Sequence, residues 1–274
     1  MFNFKSIPFG AGIGLILTGL LVICALFAPW IAPVGNGEIV GDVWEPMSSA
    51  HWLGTDNLGR DLLSRMIYGA RITIFIAAMA TALSFSLGAI LGFTAAVVGG
   101  LLDMLMSRLV DLLMAIPTLI FGLVVLSVLP SNKLTLILVM GVLSSTRVYR
   151  LSRAVAADIN AMDFVEAAKL RGEGLGWIIF REILPNALSP LVAELGLRFI
   201  FSVLFLSALS YLGLGVQPPE ADWGGMVTEN KDGIVFGIPA ALIPAAAIAV
   251  LAISVNLVAD WVLTRTTSFK GGRD

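Results

Sequence analysis

Side chains able to do chemistry are scarce in this chain and fall in a few short strings. It has one histidine, His51, and one cysteine, Cys24, which sits inside an apolar run. Single copies leave no disulfide framework, thiolate metal site, paired redox motif or histidine-based triad. No Gly-x4-Gly-Lys-Ser/Thr string is present, so the chain lacks a phosphate-cradling loop of its own, and neither catalytic nor cofactor-binding residues are expected in it. What remains is charge. Asp56, Arg60, Asp61, Arg65 and Arg71 punctuate HWLGTDNLGRDLLSRMIYGAR (51–71). Asp163 and Glu166, three apart, have the spacing of a variant capping box, with each side chain satisfying a free backbone donor of a short helix. Arg108 can pair with Asp111 at i,i+3, and Glu194 with Arg198 at i,i+4 in the favourable order. Charges this close to apolar runs mark structural pairing and gate-locking, or contact with a passing solute.

The elements that must position these residues are set by composition. Hydrophobic residues make up 58% and charged residues 13% of 274, and mean hydropathy is +0.93. A soluble globule carries about 25% charge on average, so much of this surface must face lipid. A net charge of −2 without a basic block makes nucleic acid an unsuitable partner. Residues 6–37, 72–102, 112–132, 199–219 and 233–259 carry no charge, and each run exceeds the ~20 residues a helix needs to cross a bilayer. A shorter run, 134–146, extends to a span if Arg147 and Arg150 reach the headgroups. The sequence thus predicts an all-α polytopic membrane protein with six spans, near 11–30, 73–98, 104–129, 133–152, 188–213 and 236–262. The first reads as an uncleaved anchor, being longer than a signal-peptide core.

Basic residues give the orientation. With the N-terminus inside, the outer side holds five of them, Arg60, Arg65, Arg71, Lys133 and Lys231, and the inner side the other twelve. Both termini are therefore expected in the cytoplasm. The trio Arg60, Arg65 and Arg71 runs against the rule and points to a structured external element. From Arg60 the apolar residues recur at helical spacing, as in an amphipathic helix lying at the outer interface, or one that merely caps the bundle. Residues 1–50 then hold the first span and the start of an external loop, and 51–72 the amphipathic segment. Residues 73–262 are expected to form the membrane core, and 263–274 a cytoplasmic tail. Within the core, 157–185 forms a cytoplasmic knob. In it a short helix ends at Gly172 in the left-handed conformation, and a second, about 175–183, stops before Pro185. Trp223, in the external connection 214–235, has the usual character of a headgroup anchor.

Three strings carry a resemblance. Glu166, Ala167, Ala168 and Gly172, followed by Leu184 and Pro185, resemble in identity and spacing the EAA signature of permease subunits in binding-protein-dependent ATP-binding-cassette importers. Glu182 stands where that pattern has isoleucine, a mark of the peptide branch. LGTDNLGRDLLSRMIYGAR (53–71) and SYLGLGVQPPEADWGGM (210–226) resemble the second permease of dipeptide, oligopeptide and nickel importers, and the likeness covers most of 50–260. The tail departs from the commoner Asp-Pro-Arg ending. The resemblance implies a type I importer permease fold in a bacterial or archaeal inner (plasma) membrane. It implies a heterodimer with a homologous permease, two ATPase subunits that bind ATP and magnesium, and a periplasmic or lipid-anchored solute-binding protein. Asp163, Glu166, both alanines, Gly172, Leu184 and Pro185 would then form the coupling element, with Glu166, the alanines and Gly172 entering a cleft of the ATPase. Asp56, Arg60, Asp61, Arg65 and Trp223 would face the binding protein.

The expected activity is ATP-driven import of di- and oligopeptides by alternating access, with hydrolysis in other subunits. Nickel chelates, glutathione, opines and oligosaccharides are alternative cargoes. With a single histidine in the chain, a histidine-lined nickel path is not supported. An ion-coupled carrier would place paired charges or broken helices at mid-membrane, whereas the charges here lie near span ends. A scaffold that transports nothing is the remaining rival, and co-purifying subunits would separate it from an importer.

Overall fold

An apolar run without charge forms α1, Phe9–Leu26, in the computed structural model, which describes residues 8–268. Pro29 then starts the one-turn α2, Ala28–Ile31, since proline suits a first helical turn. The chain next makes an irregular loop to residue 61. Gly59 is essential there: its φ is +74°, and a Cβ would lie 2.1 Å from the Gly41 carbonyl oxygen. Asp61 caps α3, Leu62–Val98, by accepting from the Ser64 backbone N–H at 2.8 Å and the Ser64 hydroxyl at 2.8 Å.

The amphipathic segment is therefore not a separate interfacial helix. It is the first third of a single 37-residue helix that runs on into the predicted second span. No helix breaker separates the two, and Leu62, Ser64, Arg65, Gly69 and Ala70 are buried by neighbouring chain rather than laid on lipid.

The third predicted span is broken. α4, Gly100–Ala115, and α5, Thr118–Val128, meet at 87°. Pro117 removes an N–H and forces Ile116 into extended backbone, ψ 129°. Asn132 caps α6, Lys133–Asn160, through the Thr135 N–H at 2.8 Å. α6 carries the fourth span eight residues past its expected end.

α7 is Asp163–Leu170 and α8 is Leu175–Trp177. A π turn, Ile178–Ile183, then leads directly into α9, Leu184–Tyr211. The expected stop before Pro185 does not occur: the π turn, where the Leu184 N–H donates to the Ile179 carbonyl, precedes the proline and carries the helix past it. Residues 175–211 thus make one continuous apolar helix carrying the fifth span. After a loop come α10, Trp223–Asn230, two 3-10 turns at Lys231–Phe236 and Pro239–Ala241, and α11, Leu242–Ser268. The described residues thus hold five helices long and apolar enough to span, and six spans if the bent α4–α5 pair is counted as one.

α3 lies at the centre. It packs most extensively on α6 and also meets α1 and α9, while α11 closes the bundle against α1 and α9. The α3–α6 contact is close because Gly88 and Gly92 face it. A Cβ on Gly88 would stand 2.6 Å from Val148 Cβ, and one on Gly92 would stand 2.7 Å from the Tyr149 carbonyl oxygen.

Apolar side chains also cover the outside, as on α4, where Leu101, Leu105, Leu109 and Leu112 are all exposed. Exposure on this scale belongs in a membrane.

Candidate functional site

Loops 32–61 and 212–241 come together at one end of the bundle, and α7 with the π turn stands at the other. Each end carries one of the strings singled out in the sequence.

At the loop end, four charges interlock. Asp56 is fully buried. Its Oδ2 accepts from Arg60 Nε at 2.7 Å and Arg65 Nη1 at 2.5 Å, and its Oδ1 accepts the backbone N–H groups of Leu58 and Arg60 at 2.8 and 3.0 Å. Glu229, on α10, takes Arg60 Nη2 at 2.9 Å and also pairs with Arg65. Burial alone would push the Asp56 carboxyl up. The two N–H groups and the charges of Arg65 and Arg60 outweigh it and hold it below its ordinary value. Two arginines against two carboxylates leave the cluster neutral, as burial requires.

Asn230 completes the joint. Its Oδ1 accepts the Asn57 N–H at 3.0 Å and Trp44 Nε1–H at 3.2 Å. His51 Nδ1 lies 3.1 Å from Asp61 Oδ1, so the cap of α3 is tied to the loop as well.

Trp223 is not a headgroup anchor, and with Asp56, Arg60, Asp61 and Arg65 it is buried within the loop end rather than presented on the face expected to meet a binding protein. It is 1% exposed, packs on Gly69, and donates its indole N–H to the Met66 carbonyl at 3.0 Å. Asp222 before it caps α10 through the N–H groups of Gly224 and Gly225, at 3.1 and 3.4 Å. Burial raises the Asp222 carboxyl to about 6. The sequence missed Glu229 and Asn230. The available signal was Arg60 and Arg65 themselves, which demanded a buried anionic partner.

At the opposite end, α7 begins on Met162, not on a capping box. Asp163 is the first helical residue, and no side chain caps this end. Asp163 and Glu166 still favour the helix as acids in its first turn. The helix closes on Gly172, φ +84°, whose N–H donates to Lys169, while the Glu173 N–H donates to Ala168, a Schellman ending.

The two alanines part company: Ala167 is exposed and Ala168 fully buried. Ala168 therefore cannot enter a partner's cleft. It sits with Val165, Ile178 and Ile183 on the inward side of the knob. These side chains join a core with Phe93 of α3, Ala156 and Ile159 of α6, and Ala187 of α9. Leu184 packs against this core, while Pro185 is exposed. Outward stand Phe164, Glu166, Ala167 and Leu170, the last 84% exposed.

The charges along the bundle pair differently from expectation. Asp111 meets Arg150 of α6 at 3.3 Å, and Asp103 meets Arg153, with Arg153 Nη2 2.5 Å from Asp103 Oδ2. Asp103, Ser107 and Asp111 share the face of α4 turned to α6, and Ser107 Oγ reaches Tyr149 Oη at 3.0 Å. Arg108 lies on another face, exposed, and makes no ion pair among the described residues. Glu194 and Arg198 do pair, at 2.6 Å, and Arg198 lies over the Phe201 ring at 4.7 Å. Among the described residues no group of three His, Cys, Asp or Glu side chains gathers to hold a metal ion.

Comparison with known proteins is informative for nearly the whole chain. Residues 87–268 match the family described as binding-protein-dependent transport system inner membrane component. The chain is 34% identical over 258 residues to the di/tripeptide transport system permease protein DppC of Pseudomonas aeruginosa, covering 92% of this chain and 85% of that protein. It is 36% identical to a putative peptide transport system permease protein of Brucella suis, covering 90% and 84%. It is 31% identical to the glutathione transport system permease protein GsiD of Pectobacterium atrosepticum, covering 88% and 81%. With its apolar helices and its knob rooted in the bundle core, the chain belongs to the binding-protein-dependent transport system inner membrane components, and is a multi-pass permease of the inner membrane.

Proposed function

We propose that this permease imports short peptides, paired with a second homologous permease and driven by two ATPase subunits. In this reading ATP and magnesium bind only to the ATPases, and the chain itself catalyses nothing. The loop end faces outward to a solute-binding protein, and both termini lie in the cytoplasm. The names of the relatives support the cargo, since they handle dipeptides, tripeptides and glutathione.

The knob carries the reading. A connector without a partner has no reason to bury Val165, Ala168, Ile178 and Ile183 in the bundle while leaving Phe164, Ala167 and Leu170 outside. That arrangement suits an element grasped from below. Force on α7 then reaches α3, α6 and α9 through the shared core. Of the coupling residues, Glu166, Ala167 and Gly172 make the contact, Asp163 favours the helix start, and Ala168, Leu184 and Pro185 shape the root.

The test is a mild-detergent pull-down of the tagged chain from its native membrane. A second permease, two ATPases and a binding protein that captures peptides from a pool are expected. The chain emerging alone as a homo-oligomer would refute the reading. In the assembled transporter, Glu166→Lys should abolish ATP-coupled uptake without loss of assembly, and retained uptake would remove the coupling role.

A further inference from the structure

Three outer arginines run against the charge bias of the sequence, and the structure disposes of only two. Arg60 and Arg65 are neutralised by Asp56 and Glu229. Arg71 is exposed and makes no ion pair or hydrogen bond among the described residues. It stands in a cleft of about 470 Å³ at the loop end, between α3, the start of α6 and the loop before α10.

Tyr68 and Phe75 lie three residues before and four after Arg71 on the same helical face, so an aromatic ring flanks the cation on each side. Across the cleft, Lys133 Nζ and Glu220 Oε1 pair at 2.5 Å and cancel. Asn36, also in the lining, donates Nδ2–H to the Pro219 carbonyl at 2.8 Å and so is held by the loop before α10. The cleft therefore offers one uncompensated guanidinium and apolar ring faces. Guanidinium prefers carboxylates, which it binds through two parallel N–H donors.

We propose that this cleft is an entrance subsite of the permease, in which Arg71 binds the free carboxylate of the incoming peptide. The proposal rests on the peptide-import reading. A carboxylate is common to dipeptides, tripeptides and glutathione, so one fixed cation serves cargoes of differing side chains. The ring faces of Tyr68 and Phe75 accept those side chains without selecting among them. The Lys133–Glu220 pair keeps the opposite wall neutral, so the cleft holds one positive charge.

The test uses the complete transporter in proteoliposomes, with its binding protein and a pool of di- and tripeptides read by mass spectrometry. Uptake per ATP hydrolysed is measured for Arg71→Gln, Arg71→Lys and Arg71→Glu, together with the binding-protein concentration that half-saturates ATPase stimulation. The proposal expects Arg71→Gln to lower uptake per ATP by about tenfold or more, the scale of a lost charge-assisted hydrogen bond. It expects Arg71→Lys to restore part of the loss, Arg71→Glu to lose more than Gln, and half-saturation to stay constant. A shift in half-saturation with uptake per ATP unchanged would overturn it, assigning Arg71 to docking of the binding protein. Uptake unchanged in all three variants would overturn it too, while leaving peptide import standing. A wild-type transporter that hydrolyses ATP yet imports no peptide from the pool would overturn both.

Discussion

Arg65 offers the sharpest test of how the loop end is held. It is 1% exposed, and its Nη1 bridges Asp56 on the loop and Glu229 on α10. Arg65→Ala removes the bridge and leaves Asp56, itself fully buried, with less compensation. Removing one partner of a buried pair costs about 3–5 kcal/mol. Asp56 retains Arg60 Nε at 2.7 Å and two backbone donors, and Glu229 is partly hydrated, so the expected cost is the low end, about 3 kcal/mol.

The loss should be local. Amide hydrogen exchange of residues 54–61 in nanodiscs should quicken by about a hundredfold, at 1.4 kcal/mol per decade, while α6 and α11 keep their protection. The companion variant Asp56→Asn/Arg65→Met, which removes one charge of each sign, should cost less than Arg65→Ala alone. Because Asp56 is held below its ordinary 3.8, the cluster's stability is present above that pH and is lost as pH falls through the lowered value. Exchange within threefold of wild type in Arg65→Ala would refute the cluster as the clamp of this end.

Asp222 titrates in the opposite sense. Its carboxyl is raised to about 6, so its contribution to stability is complete below 3.8 and is lost as pH rises through about 6. The span amounts to about 3 kcal/mol at most, and thermal melts of Asp222→Asn between pH 4 and 7 should be flatter than wild type. Gly88→Leu should part α3 from α6 and cost about 1–3 kcal/mol or more, read as a lowered melting temperature with ATPase docking reduced. Gly172→Val should destabilise the end of α7, since a β-branched residue resists a φ of +84°, and should depress uptake per ATP more than assembly, checked by quantitative pull-down.

The apolar runs made the spans legible, because lipid admits little else. Pro117 also stood in plain view inside the third run, yet length alone read it as one span. Other features depended on partners far along the chain. Arg65 looked like the polar face of an interfacial helix because Glu229, which buries it, lies 164 residues away. Trp223 looked like an anchor for the same reason: its acceptor is the Met66 carbonyl, 157 residues distant. Pro185 seemed to end a helix because its neighbours gave no sign of the π turn behind it. Ala167 and Ala168 are identical in sequence, and only their angle around α7 sends one outward and the other into the core.

The length of α3 has a mechanical consequence. Thirty-seven residues at 1.5 Å each make a rod of about 55 Å, nearly twice the hydrocarbon thickness. One of its ends is bolted by Asp61 and Arg65 to the loops, and Phe93, near the other, lies in the core that roots the knob. A rod pivoting at its middle moves its ends in opposite directions. Tilting it by about 10° carries each end roughly 5 Å, about the pitch of one helical turn. Under the proposed coupling, a stroke applied below the membrane would be mirrored above it with no relay of side chains in between, the span acting as a seesaw beam.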